Sequence, residues 1–211
     1  MVHSFVSEMV PQVDLRQVLE ELYQGRNLHP YASGQSIPVN SQEIWVVCRG
    51  IVQLGTLYAT GDEALLGLAC PSMPFGLPLT SIRPYQALAL TSVDLMRLSM
   101  VEIEQSPILA QSIFRHLSRR LRQTEALLAM VGYRRVEERL RHLLMLLKQE
   151  VGQPTEDGGS RLSVRLTHQQ LANAIGTTRV TVTRLLSQLR EEGWVTVDRQ
   201  RHIIITTDHL L

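Results

Sequence analysis

The residues best suited to chemistry in this 211-residue chain lie between positions 167 and 201. In the stretch 179–192, Val182, Leu185, Leu186 and Leu189 recur at the spacing of one helical face, which leaves Arg179, Val180, Thr181, Thr183 and Arg184 on the other. Two guanidinium groups near the start of such a helix can bond guanine O6 and N7 or phosphate oxygens, and Val180 can rest on a thymine methyl. Arg199 and Arg201 flank Gln200 between two apolar runs, 194–198 and 202–206, so they form the basic tip of a hairpin, where cations meet a phosphate backbone. The chemistry open to these residues is recognition of duplex DNA. The plainer reading of the same side chains is a solvated basic face.

Two short helices must position them. Thr167 precedes His168, and Gln170 stands at the reciprocal position of a capping box, so a helix starts here; Gly176 ends it, and Thr177-Thr178 can cap the next. Ala172 is small where the two helices approach, which gives a helix-turn-helix followed by a wing. Thr167, His168 and Thr178 therefore join Arg179, Val180, Thr181, Thr183, Arg184, Arg199 and Arg201 as candidate DNA contacts. Trp194 is assigned to the wing core, since base-stacking proteins need several exposed aromatics and aromatic residues are only 5% of this chain.

The rest of the chain divides into two further parts. Residues 37–98 carry short apolar runs broken by turn residues: Ile44 to Cys48, Ile51 to Leu54 after Gly50, Ala64 to Leu68 after Gly61-Asp62, and two more between Ala87 and Leu98. Such spacing suggests a compact antiparallel barrel or roll. Pro107 then opens a stretch without Gly or Pro in which Phe114, Leu117, Leu121, Thr124, Leu128 and Val131 fall at alternating steps of three and four. That is the a/d seam of a long dimerisation helix; the alternative is a helix buried against its own barrel. After Gly132 a second amphipathic helix runs to about Val151-Gly152, and residues 153–160 read as a turn-rich connector. The expected fold is α+β: an effector-type β-roll over 1–106, a dimerisation helix over 107–132, and a winged-helix DNA-binding domain over 133–211.

Charge follows the same division. Formal net charge is +1 overall, but −5 over residues 1–104, +3 over 105–159 and +3 over 160–211, and 20 of the 21 basic residues are Arg. Arginine suits planar recognition of phosphate and guanine. Hydrophobic residues make up 44% and mean hydropathy is −0.01, the balance of a globular chain. Cys48 and Cys70 are too few for a four-thiolate site and are expected to be two buried thiols. Met1 to Phe5 lacks a basic segment followed by an apolar one, and no apolar run is long enough to span a membrane, so a cytoplasmic protein without a membrane partner is expected. His3, His29, His116, His142, His168, His202 and His209 are scattered, and there is no nucleophile elbow or phosphate-cradling glycine loop. Enzyme function and a resident metal or cofactor are not expected. A module whose helix-turn-helix docks protein instead of DNA is the competing class.

With roll, long helix and winged helix in this order, residues 28–208 resemble the cyclic-AMP receptor/FNR family of bacterial transcription regulators. The segment 178–186, Thr-Arg-Val-Thr-Val-Thr-Arg-Leu-Leu, is similar to the recognition helix of the cyanobacterial nitrogen regulators of NtcA type. The resemblance implies a cyclic-nucleotide-binding-like jelly roll, a homodimer on a palindrome of GTA and TAC triplets, and RNA polymerase as a further partner.

The resemblance also bears on an effector. Members that bind cyclic AMP carry a Gly-Glu pair and a later Arg-Ser; here Gly76 is followed by Leu77-Pro78 and Arg83 by Pro84, so cyclic AMP is disfavoured. Similarity to the nitrogen regulators implies 2-oxoglutarate at the junction of roll and long helix, with Phe75, Gly76, Leu77, Arg83, Tyr85, Arg120 and Glu125 matching that pocket. Arg83 and Arg120 can pair carboxylates by charge-assisted hydrogen bonds. With Leu121 and Thr124 at a and d, however, Arg120 and Glu125 are also g and e positions of an ordinary interhelical salt bridge. A member controlled by expression level or a protein partner, with no effector, remains the alternative.

Overall fold

The structure is a computed structural model that describes residues 26–206. Met1 to Phe5, His3 and His209 lie outside that range. The N-terminal part is an antiparallel roll of two sheets. Strands β1 (His29–Tyr31), β2 (Glu43–Arg49), β5 (Pro74–Phe75) and β7 (Val93–Ser99) form one sheet in the order β1-β7-β2-β5, and β3 (Val52–Leu57), β4 (Glu63–Ala69) and β6 (Gln86–Ala89) form the other in the order β4-β3-β6. In β2 the run Ile44-Trp45-Val46-Val47 is apolar without alternation because both faces are covered. Trp45 and Val47 point into the roll, while Ile44 and Val46 pack with Met96, Leu98, Leu109 and Ile113 under the helices. Cys70 is buried as expected, but Cys48 is only half-buried, at the bulge where the β2 register shifts between Val47 and Arg49.

Two helices follow, α1 (Met100–Gln105) and α2 (Pro107–Val131). The Ser106 hydroxyl caps α2 by accepting from the Leu109 N–H, and Pro107 occupies the first turn, where its missing N–H costs nothing. One stripe of α2, Leu109, Ile113, Leu127 and Met130, is buried. α3 (Val136–Val151) begins after a four-residue break.

The C-terminal part holds α4 (His168–Ile175), α5 (Arg179–Glu191) and a sheet in the order β10-β11-β9-β8, built from β8 (Gly152–Pro154), β9 (Ser160–Leu162), β10 (Val195–Val197) and β11 (Ile203–Ile205). Residues 153–160 are thus not a plain connector. They turn at Thr155, whose N–H donates to the Gly159 carbonyl, and β9 pairs with β11 through Ile204 and Arg161, so the wing belongs to a four-stranded sheet. Three residues a side are too few to alternate visibly in sequence; the tertiary pairing makes them strands. The larger of two apolar clusters runs from Val52, Leu54 and Leu68 of the roll through Leu127, Leu143 and Leu147 to Leu171, Val182 and Leu189.

Candidate nucleic-acid interface

The helix-turn-helix is fixed by local chemistry. The Thr167 hydroxyl accepts from the Gln170 N–H at 3.1 Å and the Gln170 Oε1 accepts from the Thr167 N–H at 2.8 Å, closing the capping box. Gly176 ends α4 at φ 64°, a left-handed conformation that suits glycine. Thr178 caps α5, and buried Val182, Leu185, Leu186 and Leu189 hold its inner face. Arg179 and Arg184 are exposed, as is Val180 at 78%. Thr181 is half-buried, and its hydroxyl lies 3.0 Å from that of Thr178, so it serves the cap. Thr183 is exposed but engaged by His168, whose Nδ1 lies 2.7 Å from Thr183 Oγ1. His168, Arg179, Arg190 and Arg201 line one cleft of about 1060 Å³ between α5, the wing and the roll, which gives it a basic wall.

The wing tip is held from a neighbouring strand. Arg161 on β9 donates from Nε to Asp198 Oδ2 at 2.7 Å and from Nη2 to Gln200 Oε1 at 3.1 Å, and Nη2 stands 2.6 Å from His202 Nδ1. The Asp198 carboxylate also accepts from the His202 N–H at 2.8 Å. The Arg161 hydrogen bond, then that of His202, pushes the Asp198 carboxyl down from 3.8 to about 2. Arg199 and Arg201 are both exposed, and Arg201 takes a φ of 64° at the turn. Trp194 is buried in the wing core with the Arg141 guanidinium 5.1 Å over its ring.

The other face of α2 is bare. Phe114, Leu121, Leu128 and Val131 are 69%, 60%, 73% and 59% exposed, and Thr124 is exposed beside them. Leu117 departs from this seam by packing half-buried against the roll cluster of Ile44 and Leu109. Glu125 is exposed.

At the junction of α2 with the roll, Arg120 is half-buried; burial pulls its pKa down while Tyr85 opposes the shift. Its Nη1 is buried without a hydrogen-bond partner among the described residues. Tyr85 lies beside it, its hydroxyl raised by burial and held back by Arg120 and the Gly76 N–H. Gly76, Tyr85 and Arg120 are therefore brought together. The other four expected pocket residues are not drawn in the same way. Phe75 is a core residue opposite Trp45, Leu77 starts a short 3₁₀ turn, and Glu125 faces solvent; exposed Arg83 donates to the Thr80 and Ile82 carbonyls of its own loop.

Sequence reasoning had not assigned a role to Gln123, which is buried and accepts from the Leu68 N–H at 2.8 Å. Gly67 makes room for it: a Cβ there would collide with Gln123 Oε1. Nearby, Arg119 pairs with Glu150 of α3 at 2.9 Å.

Comparison with known proteins agrees with this architecture. Residues 138–210 match the Crp-like helix-turn-helix domain. The chain is 34% identical over 170 residues to the global nitrogen regulator of Nostoc sp. strain PCC 7120, covering 76% of each, and 35% identical over 159 residues to the regulatory protein CysR of Synechococcus elongatus, covering 74% of this chain and 73% of that one. Among solved structures, a CRP/FNR-family transcriptional regulator from Thermus thermophilus matches with a TM-score of 0.69 at 26% identity, over 85% of this chain and 93% of that one. The chain is thus a member of the CRP/FNR family of DNA-binding transcription regulators, close to the global nitrogen regulators.

Proposed function

We propose that the protein is a homodimeric, cytoplasmic transcription regulator, acting on RNA polymerase rather than as a catalyst, that binds a palindrome of GTA and TAC triplets. The observation carrying this reading is the apolar seam of Phe114, Leu121, Leu128 and Val131 left exposed on α2, in a chain whose DNA-facing residues Arg179, Val180 and Arg184 are also solvent-exposed. Pairing two α2 helices buries the seam and presents two recognition helices, which read successive major grooves about 34 Å apart. Sedimentation together with binding to palindromic and scrambled duplexes tests it: a monomer at micromolar concentration, or equal affinity for both duplexes, refutes it.

Control by a small dicarboxylate such as 2-oxoglutarate is the regulatory part of the proposal. The buried, unpartnered Arg120 Nη1 beside Tyr85 and Gly76 is a cationic donor suited to one carboxylate. Binding there shifts the dimer only through different affinities for its two arrangements. Calorimetry of wild type and Arg120→Ala decides it: heat in the wild type, lost in the variant, supports the effector, and no heat in the wild type leaves control to expression level or a protein partner.

A further inference from the structure

We infer that Gln53, a residue of the roll, is a positioning residue for the DNA-binding end of α4. The starting point is the hydrogen-bond inventory of Gln170. A carboxamide offers one oxygen and one NH₂ group. The Gln170 oxygen is engaged by Thr167, 2.8 Å from its N–H and 3.1 Å from its hydroxyl. The amide plane, and with it the capping box, is then held through the NH₂ group, which donates to Gln53 Oε1 at 3.0 Å.

The surroundings give this bond its weight. Leu65, Leu68, Leu143, Leu147 and Leu166 line one side of the half-buried pair, so the bond is made against an apolar wall. One turn further along α4, Asn173 Nδ2 reaches Glu63 Oε2 at 3.4 Å, so two side chains on one face of α4 rest on the β3–β4 hairpin. Gln53 is in register with Leu68, whose N–H is bonded to Gln123 on α2. A continuous path of contacts therefore leads from the neighbourhood of Arg120 through Gln123, Leu68, Gln53 and Gln170 to Thr167.

The first turn of α4 carries the positive end of the helix dipole, which is complementary to a phosphate. Gln53 sets the orientation of that turn without touching DNA. The inference rests on the reading that α4 meets the DNA backbone, and it gives the roll a direct mechanical hold on that contact.

The test uses the full-length protein and fluorescence anisotropy on a GTA/TAC duplex over a salt series. Gln53→Leu, which suits the leucine-lined setting, should lower affinity by about three- to tenfold. The slope of log affinity against log salt should not change, because no cation–phosphate contact is removed. Gln53→Glu keeps the acceptor and should bind like wild type. Thr167→Ala should also weaken binding, and adding Gln53→Leu to it should cost little more. Wild-type affinity in Gln53→Leu, or additive losses in the double variant, would overturn the inference. A phosphate contact serves any duplex, so the comparison is also read on scrambled DNA. Failure of the wild type to prefer the palindrome would count against the specific-site reading alone.

Discussion

His168 and Thr183 are joined across the turn of the helix-turn-helix, Nδ1 to Oγ1 at 2.7 Å, while the same hydroxyl lies 2.9 Å from the Arg179 carbonyl. A hydroxyl has one proton, and with it given to Arg179 the imidazole must donate through Nδ1. The start of α4 is thereby tied to the exposed face of α5, and the Arg179 carbonyl to both. The two residues should act on DNA as a unit. His168→Ala and Thr183→Val should each weaken specific binding by about 1 kcal/mol, and the double variant should lose clearly less than the sum. Additive losses in a binding titration would mean two independent contacts.

Arg179 and Arg201 should separate reading from holding. Arg179→Ala should cost about 1–3 kcal/mol on the cognate duplex and relax the preference at one base pair. Arg201→Ala should weaken every sequence alike and reduce the salt slope by about 1. Because residue 201 sits at a φ of 64°, Arg201→Gly should fold more stably than Arg201→Ala, by about 1 kcal/mol, while losing the same phosphate contact. Thermal melts beside binding curves check both statements.

The acid limb of wing stability should follow Asp198. Its folded pKa, about 2, lies below the ordinary 3.8, so the native carboxylate resists protonation. Its contribution is complete above about pH 4 and is lost as pH falls toward 2, where both folded and unfolded forms take up the proton. Arg161→Met removes the principal cause of the shift. In that variant a carbon-detected titration of Asp198 should move up toward the ordinary range; an unchanged curve would put the cause elsewhere.

Leu128 should matter only between subunits. It is 73% exposed, so Leu128→Glu removes little packing within the chain and should leave helical content intact. A charge at an a position of a two-stranded seam should shift the dimer to monomer by at least tenfold in dissociation constant, on the order of 1.4 kcal/mol or more. Sedimentation equilibrium reads this directly, and an unchanged association constant would place the interface on another surface.

What the sequence disclosed and what it withheld divide along physical lines. Helix starts and stops at Thr167, Gly176 and Thr178 are written in residues a few positions apart, so the helix-turn-helix was legible from local spacing alone. The two faces of α2 were half legible: the exposed seam follows a heptad, but Gln123 reads as a surface residue and becomes buried only because Gly67 lets β4 approach. The Gln53–Gln170 bond spans 117 positions and leaves no local trace. Arg161 lies just past the connector read over 153–160, and its bond to Asp198 spans 37 positions, so that hold leaves no local trace either. Arg83 shows the opposite case, a residue that fits a motif by position while its loop turns the guanidinium onto its own carbonyls.

The apolar core passes unbroken from the roll into the helix-turn-helix and so couples their separation to water. Any rearrangement that moved the helix-turn-helix off the roll would uncover leucine surface, and wetting such surface raises heat capacity, so the equilibrium for that movement would curve with temperature.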